Sequence, residues 1–382
     1  MTEIKSSNNK VLHIITGLNT GGAEMMLYKL LSGMDRTTIE VEVISLMDIG
    51  PVGRTIQGLG LPVRALGMRR GVPNPLVILR LARWLRKDPP LYIQTWMYHA
   101  DLIGGLAAKQ ADIPVIWGIR HSNLDLQSVK RTTAWTAKAC AWLSRWLPAR
   151  IVCCSEASRR VHRELGYAED RIVVIPNGFD LAAFKPDPEA RLSVRRELGI
   201  PEEALLIGLV GRFNPQKDHR TLVAAAAHLC ACLPGVQFLL CGDGITWNNL
   251  DLAEWITAVD LPGRFHLLGR REDIPRITAS LDIATSSSSS EGFPNVIGEA
   301  MACGVPCVVT DVGDSALIVD KTGRVVPPGD PRALANGWCE LIEMGPEGRN
   351  RLGLLARRRI EEHFNLPLIV ARYEQLYREV SS

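Results

Sequence analysis

Residues 283–310 have the sequence IATSSSSSEGFPNVIGEAMACGVPCVVT. The short runs at 283–285 and 305–310 are rich in apolar and β-branched residues, which predicts two buried strands. Glycine and proline indicate a loop after the first run, and a helix is predicted from Asn295. A strand, a helix and a second strand in succession form the repeating unit of a parallel sheet that is covered by helices.

The same alternation extends along most of the chain. Further strands are predicted at 11–15, 41–46, 91–95, 115–117, 151–154, 172–175, 205–210, 237–241 and 265–268. Turn and linker residues interrupt the alternation at 176–178 and 184–188. The fold class is therefore α/β, with two doubly wound parallel-sheet domains at residues 1–186 and 187–364. A C-terminal helix within 365–382 is expected to pack back on the body.

Composition limits the classes of protein that need to be considered. The 382 residues are 46% hydrophobic and 22% charged, which is typical of a soluble globular protein. No apolar run is long enough to cross a bilayer, and the first residues lack the hydrophobic stretch of a signal peptide. The nine cysteines include no Cys-x-x-Cys pair, and their odd number argues against a disulfide framework. We expect a cytoplasmic protein.

Basic residues are concentrated in the first half of the chain. Residues 51–150 contain 15 Lys and Arg but only 4 Asp and Glu, which suggests an anionic partner. Residues 76–87 and 130–150 combine helical periodicity with basic residues and tryptophans, a pattern that suits an anionic lipid surface. The alternative is that these helices bury their apolar sides against the sheet. We expect peripheral contact with the inner membrane surface, and no nucleic-acid-binding module is recognised.

The first candidate site is the stretch Gly-Arg-Phe-Asn-Pro-Gln-Lys-Asp at residues 211–218, directly after a predicted strand. Glycine allows a sharp turn, Arg212 presents a planar guanidinium to phosphate oxygens, and Lys217 adds a compact charge. Two cations between a strand and a helix can bind a diphosphate without a metal ion. The alternative is two solvated basic residues at the start of a helix.

The second candidate site is the stretch Glu-Gly-Phe-Pro-Asn-Val-Ile-Gly-Glu at residues 291–299, which follows a run of serines. The backbone amides and the positive dipole end of a helix that starts at Asn295 suit a phosphate. Glu291 precedes this helix and Glu299 lies about one turn into it, so one carboxylate can bind sugar hydroxyls and the other a ribose diol. Paired carboxylates also occur in glycosidases, but these need groups on opposite sides of one bond.

The third candidate site is the stretch Gly-Leu-Asn-Thr-Gly-Gly-Ala-Glu at residues 17–24, between the first predicted strand and helix. It matches neither the Gly-x-Gly-x-x-Gly fingerprint nor a P-loop. Gly21 and Gly22 can form a backbone nest for an anion. A simple tight turn is the alternative.

Together these residues resemble glycosyltransferase family 4, a group of retaining enzymes with the GT-B fold, over nearly the whole chain. The most specific part is the pair Glu291 and Glu299 within SEGFPNVIGEAMACGVPCV. Further matching stretches are GGAE at 21–24, IPNGFD at 175–180, and Gly211-Arg212 with Lys217. The run of serines at 286–290 departs from the bulkier segment that is usual in the family.

The resemblance implies two Rossmann-like domains that face a central cleft and bind a nucleotide diphosphate sugar. Arg212 and Lys217 would hold the diphosphate, Glu291 the sugar hydroxyls and Glu299 the ribose. The other donor-binding positions contribute mainly backbone groups, and they are Gly21, Gly22, Gly211, Gly292, Phe293, Pro294, Asn295 and Val296.

Two histidines and one asparagine complete the expected site. His121 stands where the family has a first-domain histidine near the reacting sugar, and we place it in the catalytic set with Glu291, Arg212 and Lys217. His99 and Asn177 are candidate contacts to the acceptor. For both histidines, the alternative is a structural role within the fold.

The sequence therefore predicts a retaining, metal-independent glycosyltransferase that needs no cofactor. Its donor would be a UDP- or GDP-linked hexose or N-acetylhexosamine, and its acceptor a sugar or lipid-linked glycan of the bacterial cell envelope. A nucleotide-sugar epimerase on the same fold and a non-catalytic nucleotide-sugar binding protein are the alternatives. Incubation with a nucleotide sugar and no acceptor would distinguish the epimerase from the transferase.

Overall fold

A computed structural model gives the structure of residues 9–37, 39–69, 76–122 and 131–381. These residues form two compact units. The first unit extends to Gly178 and also includes the segment from Leu366, and the second unit comprises Phe179–Asn365. From the sequence we place the domain boundaries at 186/187 and 364/365.

A parallel sheet forms the centre of the first unit. Its strands within the described residues are β1 (Lys10–Ile15), β2 (Glu40–Ser45), β3 (Val63–Ala65), β4 (Tyr92–Trp96), β5 (Val115–Ile119), β6 (Arg150–Cys153) and β7 (Ile172–Val174). They lie in the order β3-β2-β1-β4-β5-β6-β7, so β1 and β4 are neighbours. The chain winds outward in both directions from this pair.

Helices cover both faces of this sheet. They are α1 (Gly22–Gly33), α2 (Gly50–Gly58), α3 (Leu76–Lys87), α4 (Tyr98–Ala111), α5 (Arg131–Leu143) and α6 (Glu156–Glu164). Helices α3, α4 and α5 pack in one hydrophobic core, and α1 and α2 pack in another. Leu12 and Ile14 enter the first core, whereas Val11 and Ile15 enter the second. Because both faces of β1 are buried, its apolar side chains point to both sides of the sheet.

The second unit has the same architecture. Its strands are β8 (Leu206–Val210), β9 (Gln237–Cys241), β10 (Phe265–Leu267), β11 (Ile283–Ser286), β12 (Cys307–Thr310) and β13 (Gly323–Val326). They pair in parallel in the order β10-β9-β8-β11-β12-β13. Both sheets are therefore doubly wound, as the sequence predicts.

The helices of the second unit begin and end at recognisable signals. They are α7 (Pro188–Leu198), α8 (His219–Cys232), α9 (Leu250–Ala258), α10 (Ile274–Ala279), α11 (Asn295–Ala302), α12 (Ser315–Val319), α13 (Pro331–Glu343) and α14 (Gly345–His363). At the start of α7, the Asp187 side chain accepts a hydrogen bond from the backbone N–H of Ala190, and Gly199 ends the helix in the left-handed conformation. Both are the residue types that favour these positions.

The last helix, α15 (Leu366–Ser381), belongs to the first unit. It contacts α1 and β4, and its buried Tyr373 and Tyr377 join the core that also holds α1 and α2. The chain thus leaves the first unit after Gly178 and returns to it at Leu366.

Two strands, β3 and β13, are not predicted from the sequence, and both are short edge strands. β3 has one buried residue out of three, and β13 carries the partly exposed Arg324. Neither strand has the continuous apolar run that identifies a central strand of a parallel sheet. Among the described residues, no helix has both the length and the apolar character needed to span a membrane.

A buried carboxyl group joins β4 to β5. Asp101, in α4, is fully buried, and its Oδ1 accepts hydrogen bonds from the Thr95 hydroxyl at 2.6 Å and from the backbone N–H of Gly118 at 3.2 Å. Its Oδ2 has no hydrogen-bond partner among the described residues. Burial, the largest effect, raises the pKa of Asp101 from 3.8 to about 8.

This raised pKa makes stability depend on pH. Between about pH 4 and pH 8 the folded protein keeps a proton on Asp101 that the unfolded chain has released, so stability falls as pH rises. The slope is at most about 1.4 kcal/mol per pH unit for one group. Since an amide does not ionise, we expect Asp101→Asn to be increasingly more stable than the wild type as pH rises from 5 to 8.

Urea unfolding at several pH values measures this difference. Asp112→Asn is a suitable control, because Asp112 is exposed and ends the same helix. Its stability should follow the wild type at every pH. Parallel stability curves for Asp101→Asn and the wild type would contradict a proton held on Asp101.

Candidate active site

The neighbouring strands β8 and β11 mark the point where the second sheet changes winding direction. The chain adds β9 and β10 on one side of β8, and β12 and β13 on the other side of β11. Loops that follow parallel strands leave the sheet at the same edge, and a crevice forms where two such loops diverge. Residues 211–218 follow β8 and residues 287–294 follow β11, so the first two predicted sites meet here.

Local hydrogen bonds shape the loop after β8. The backbone N–H of Gly211 donates to the Cys241 carbonyl at 2.8 Å, which ties the loop to the end of β9. The Asn214 side chain accepts a hydrogen bond from the Gln216 N–H and so caps a short 3₁₀ turn that ends at Lys217. Arg212 lies exposed on this loop.

An ion pair joins the two loops. Lys217 Nζ lies 2.5 Å from Glu291 Oε1, and the side chains are 21% and 13% exposed. The Ser288 hydroxyl donates to the same carboxylate oxygen at 2.7 Å, and the Ser287 hydroxyl donates to the Lys217 carbonyl at 2.8 Å. The run of serines therefore supports both charged residues, a role that its composition alone does not indicate.

Close packing of aromatic rings holds the segment from Glu291 to α11 in place. The Phe293 ring lies 6.1 Å from the Phe179 ring and 5.8 Å from the Phe364 ring. A Cβ on Gly298 would lie 2.0 Å from the Phe179 ring, so only glycine allows this approach. Packing of this kind fixes the start of α11 against the body of the second unit.

The remaining donor-side residues lie around the start of α11. Gly292 accepts a hydrogen bond from the Asp314 N–H at 3.0 Å, Pro294 is buried, and Asn295 and Val296 are the first residues of the helix. Glu299, partly buried, follows one turn later. The structure thus places all the second-unit residues of the predicted site in two neighbouring loops and one helix.

The first unit presents a second set of candidate residues at the equivalent edge of its sheet. Gly21 and Gly22 follow β1 at the start of α1, where Gly21 has an extended backbone. His99 is in the first turn of α4, after the neighbouring strand β4, and is partly buried. Burial lowers the pKa of His99, which favours the neutral imidazole.

His121 lies after β5 and is exposed. Its ring stacks on the ring of the buried Tyr98, with centroids 5.9 Å apart, and its backbone carbonyl accepts a hydrogen bond from the Ser158 hydroxyl at 2.8 Å. The predicted acceptor residue Asn177 is 7% exposed, and its Oδ1 accepts a hydrogen bond from Arg120 at 3.1 Å.

Arg120 is a neighbour of His121 that the sequence analysis does not single out. Its guanidinium lies 4.3 Å from the centre of the Trp96 ring and donates to the Tyr373 hydroxyl as well as to Asn177. Because these partners lie far apart in the sequence, residue spacing does not predict their contacts with Arg120. No group of three or more His, Cys, Asp or Glu in the described part of the chain could hold a metal ion.

Comparisons with known proteins agree along most of the chain. Residues 20–183 match a family model described as Glycosyltransferase Family 4, and residues 204–344 match one described as Glycosyl transferases group 1. EpsF of Bacillus subtilis (strain 168), which carries a glycosyltransferase name, is 30% identical over 81% of this chain and 80% of its own.

Two further relatives extend the comparison. The UDP-Gal:alpha-D-GlcNAc-diphosphoundecaprenol alpha-1,3-galactosyltransferase of Escherichia coli is 26% identical over 78% of each chain. The crystal structure of Anabaena Alr3699/HepE in complex with UDP is 25% identical, with a TM-score of 0.85 over 97% of this chain and 100% of that one.

Two doubly wound units together with these matches define a glycosyltransferase with the GT-B fold. The chain belongs to glycosyltransferase family 4, since a relative at 30% identity and two adjoining family models cover most of its length.

Proposed function

We propose that the protein transfers a hexosyl or N-acetylhexosaminyl group from a UDP- or GDP-sugar, with retention of configuration, to a sugar or lipid-linked glycan. The product would be a bacterial cell-envelope polysaccharide. The observation that carries the proposal is the Lys217–Glu291 pair at the crevice between β8 and β11, with Arg212 on the same loop as Lys217.

In the proposed donor complex, each charged group has one role. The diphosphate binds Arg212 and Lys217, because charge-assisted hydrogen bonds to phosphate are strong and these cations lie on one loop. Glu291 then binds sugar hydroxyls and Glu299 the ribose. Helix α11 begins four residues after Glu291, and the amides at the start of a helix favour an anion. UDP is the first nucleotide to test, since one relative carries UDP-Gal in its name and another was crystallised with UDP.

The proposed reaction exchanges one bond to the anomeric carbon for another on the same face of the sugar. The bond from that carbon to the diphosphate oxygen breaks, and a bond to the acceptor oxygen forms. The acceptor proton passes to the departing diphosphate. Arg212 and Lys217 stabilise the charge that develops on the leaving group, which is the largest contribution such sites make. We assign His121 to the catalytic set because the family resemblance implies a first-domain histidine near the reacting sugar.

Exposed basic and aromatic side chains on α3 and α5 support contact with a membrane. α3 buries Val77, Leu81, Ala82 and Leu85 but leaves Leu76 and Leu79 exposed. Its four cations, Arg80, Arg83, Arg86 and Lys87, are also exposed.

Helix α5 and the turn after it expose three tryptophans. Trp135, Trp142 and Trp146 are 73%, 67% and 56% exposed, among the exposed cations Arg131, Lys138, Arg145 and Arg150. Lys130, which belongs to the same basic stretch of the sequence, lies outside the described residues. Tryptophan beside basic residues suits the interface of an anionic bilayer, and we propose that the first unit contacts the inner face of the cytoplasmic membrane.

The diphosphate assignment predicts the effect of two substitutions. Arg212→Ala and Lys217→Ala each remove a charge-assisted contact of roughly 1.5–3 kcal/mol, so UDP binding should weaken about tenfold or more. Calorimetric titration with UDP and with GDP measures this. Arg351→Ala, on an exposed face of α14, is the matched control and should bind as the wild type does. Wild-type affinity in both loop variants would rule out the assignment.

A second prediction concerns metal ions. Because two protein cations neutralise the leaving diphosphate in the proposed reaction, sugar transfer should continue in excess EDTA. Transfer from UDP-sugars is measured with and without the chelator. Activity that is lost with EDTA and returns with magnesium or manganese would show that a metal neutralises the diphosphate.

A third prediction concerns the membrane. Replacing Arg80, Arg83, Arg86 and Lys87 with Glu should release the protein from anionic liposomes, since each basic residue near such a surface contributes about 1 kcal/mol at low salt. UDP binding should not change. The matched control reverses four exposed arginines of the second unit, Arg196, Arg332, Arg351 and Arg358.

Liposome co-sedimentation at low and high salt compares the two quadruple variants, which carry the same net charge. The control should sediment with the vesicles as the wild type does. If the wild type ignores anionic liposomes at low salt, or if both variants lose binding equally, the assigned surface is wrong.

A further inference from the structure

We propose that Tyr98, Ser158 and His162 form a buried polar network that holds His121 in its working orientation. The inference rests on the proposed function, in which His121 lies near the reacting sugar. The three residues are positioning residues, because they act through His121.

Two members of the network contact His121 at two different points. The Tyr98 ring stacks on the His121 ring with an interplanar angle of 29° and a centroid distance of 5.9 Å. The Ser158 hydroxyl donates to the His121 carbonyl at 2.8 Å. One contact restrains the side chain and the other the backbone. Without Tyr98 and Ser158, the exposed His121 would lack both of these restraints.

His162 holds both of these residues in place. Its Nδ1 lies 2.7 Å from the Ser158 backbone carbonyl, and its Nε2 lies 2.7 Å from the Tyr98 hydroxyl. A carbonyl oxygen only accepts hydrogen bonds, so Nδ1 carries the proton and donates. In the neutral ring, Nε2 then accepts from the Tyr98 hydroxyl, and this hydrogen bond restrains the Tyr98 ring.

Burial keeps this arrangement in one protonation state. His162 is fully buried, and desolvation, the largest effect, lowers its pKa to about 4. At neutral pH the ring is uncharged, so Nε2 remains an acceptor and the Tyr98 hydrogen bond persists. The network therefore keeps the same hydrogen bonds at neutral pH.

The backbone before His121 is held in the same way. The carboxyl group of Asp101 accepts from the Gly118 N–H, and Arg120 is fixed by Trp96, Tyr373 and Asn177. Successive points of the 118–121 segment are thus each held by a buried group of the first unit. Such close positioning matters to catalysis, since a displacement of about 1 Å can cost roughly a hundredfold in rate.

Conservative substitutions test the network in the full-length protein. Tyr98→Phe keeps the ring but removes the hydroxyl, and Ser158→Ala removes the donor to the His121 carbonyl. Tyr167→Phe is the matched control. Tyr167 is equally buried, its ring lies 5.0 Å from His162, and its hydroxyl donates to the Ala137 carbonyl rather than to any member of the network. If Tyr98→Phe does not fold, Ser158→Ala still tests the network.

Two measurements are made on each variant. The first is kcat and KM for UDP release from UDP-glucose and from UDP-galactose. The second is the ¹³Cε1 resonance of His121 in histidine-labelled protein, assigned with His121→Gln, which needs no substrate. We expect Tyr98→Phe and Ser158→Ala to lower kcat about ten- to a hundredfold at nearly unchanged KM, and to shift the His121 resonance. Tyr167→Phe should do neither.

Two results would overturn the inference, and they differ in what else they affect. If His121→Ala is slow but Tyr98→Phe and Ser158→Ala keep the wild-type kcat and His121 resonance, the network has no positioning role, and the proposed function stands. If His121→Ala keeps the wild-type kcat, the catalytic assignment of His121 in the proposed function fails. The positioning role then fails with it.

Discussion

Parallel pairing of β8 with β11 is the constraint on which the candidate donor site depends. Because all strands of the sheet run in one direction, the loops that follow them leave at one edge. The winding direction changes between these two strands, so the loop that carries Arg212 and Lys217 meets the loop that carries Glu291, about 74 residues later in the chain.

The ion pair at this crevice is only partly desolvated, and this matters for its chemistry. A fully buried pair costs more to desolvate than its mutual attraction returns, and it resists exchange. Lys217 and Glu291 keep 21% and 13% of their side-chain surface exposed, and the Ser288 hydroxyl also binds the carboxylate. In the proposed donor complex, a diphosphate would compete for the Lys217 ammonium while the Ser288 hydroxyl still donates to Glu291. In the same proposal, the serine loop keeps one hydrogen bond on the carboxylate that would bind sugar hydroxyls.

The sequence alone predicts the fold and the charged residues of the two loops in the candidate donor site. It does not predict the contacts that hold the candidate residues in place. A central strand such as β8 is a continuous apolar run because both of its faces are buried, so it can be recognised locally. The edge strands β3 and β13 lack that signal. Arg212, Lys217 and Glu291 stand out through residue type and spacing, whereas the contacts of Ser288 and Arg120 depend on residues brought together only by the tertiary fold.

The two units use one architecture but stabilise their candidate residues by opposite means. At the edge of the second sheet, Lys217 and Glu291 form a partly exposed ion pair and accept hydrogen bonds from serine hydroxyls. At the edge of the first sheet, His121 rests on aromatic and neutral hydrogen-bonding groups that are almost completely buried. Charges placed there would cost several kcal/mol each to bury. A neutral network avoids this cost, so the groups that contact His121 can be buried, whereas the ion pair of the second unit keeps part of its surface in solvent.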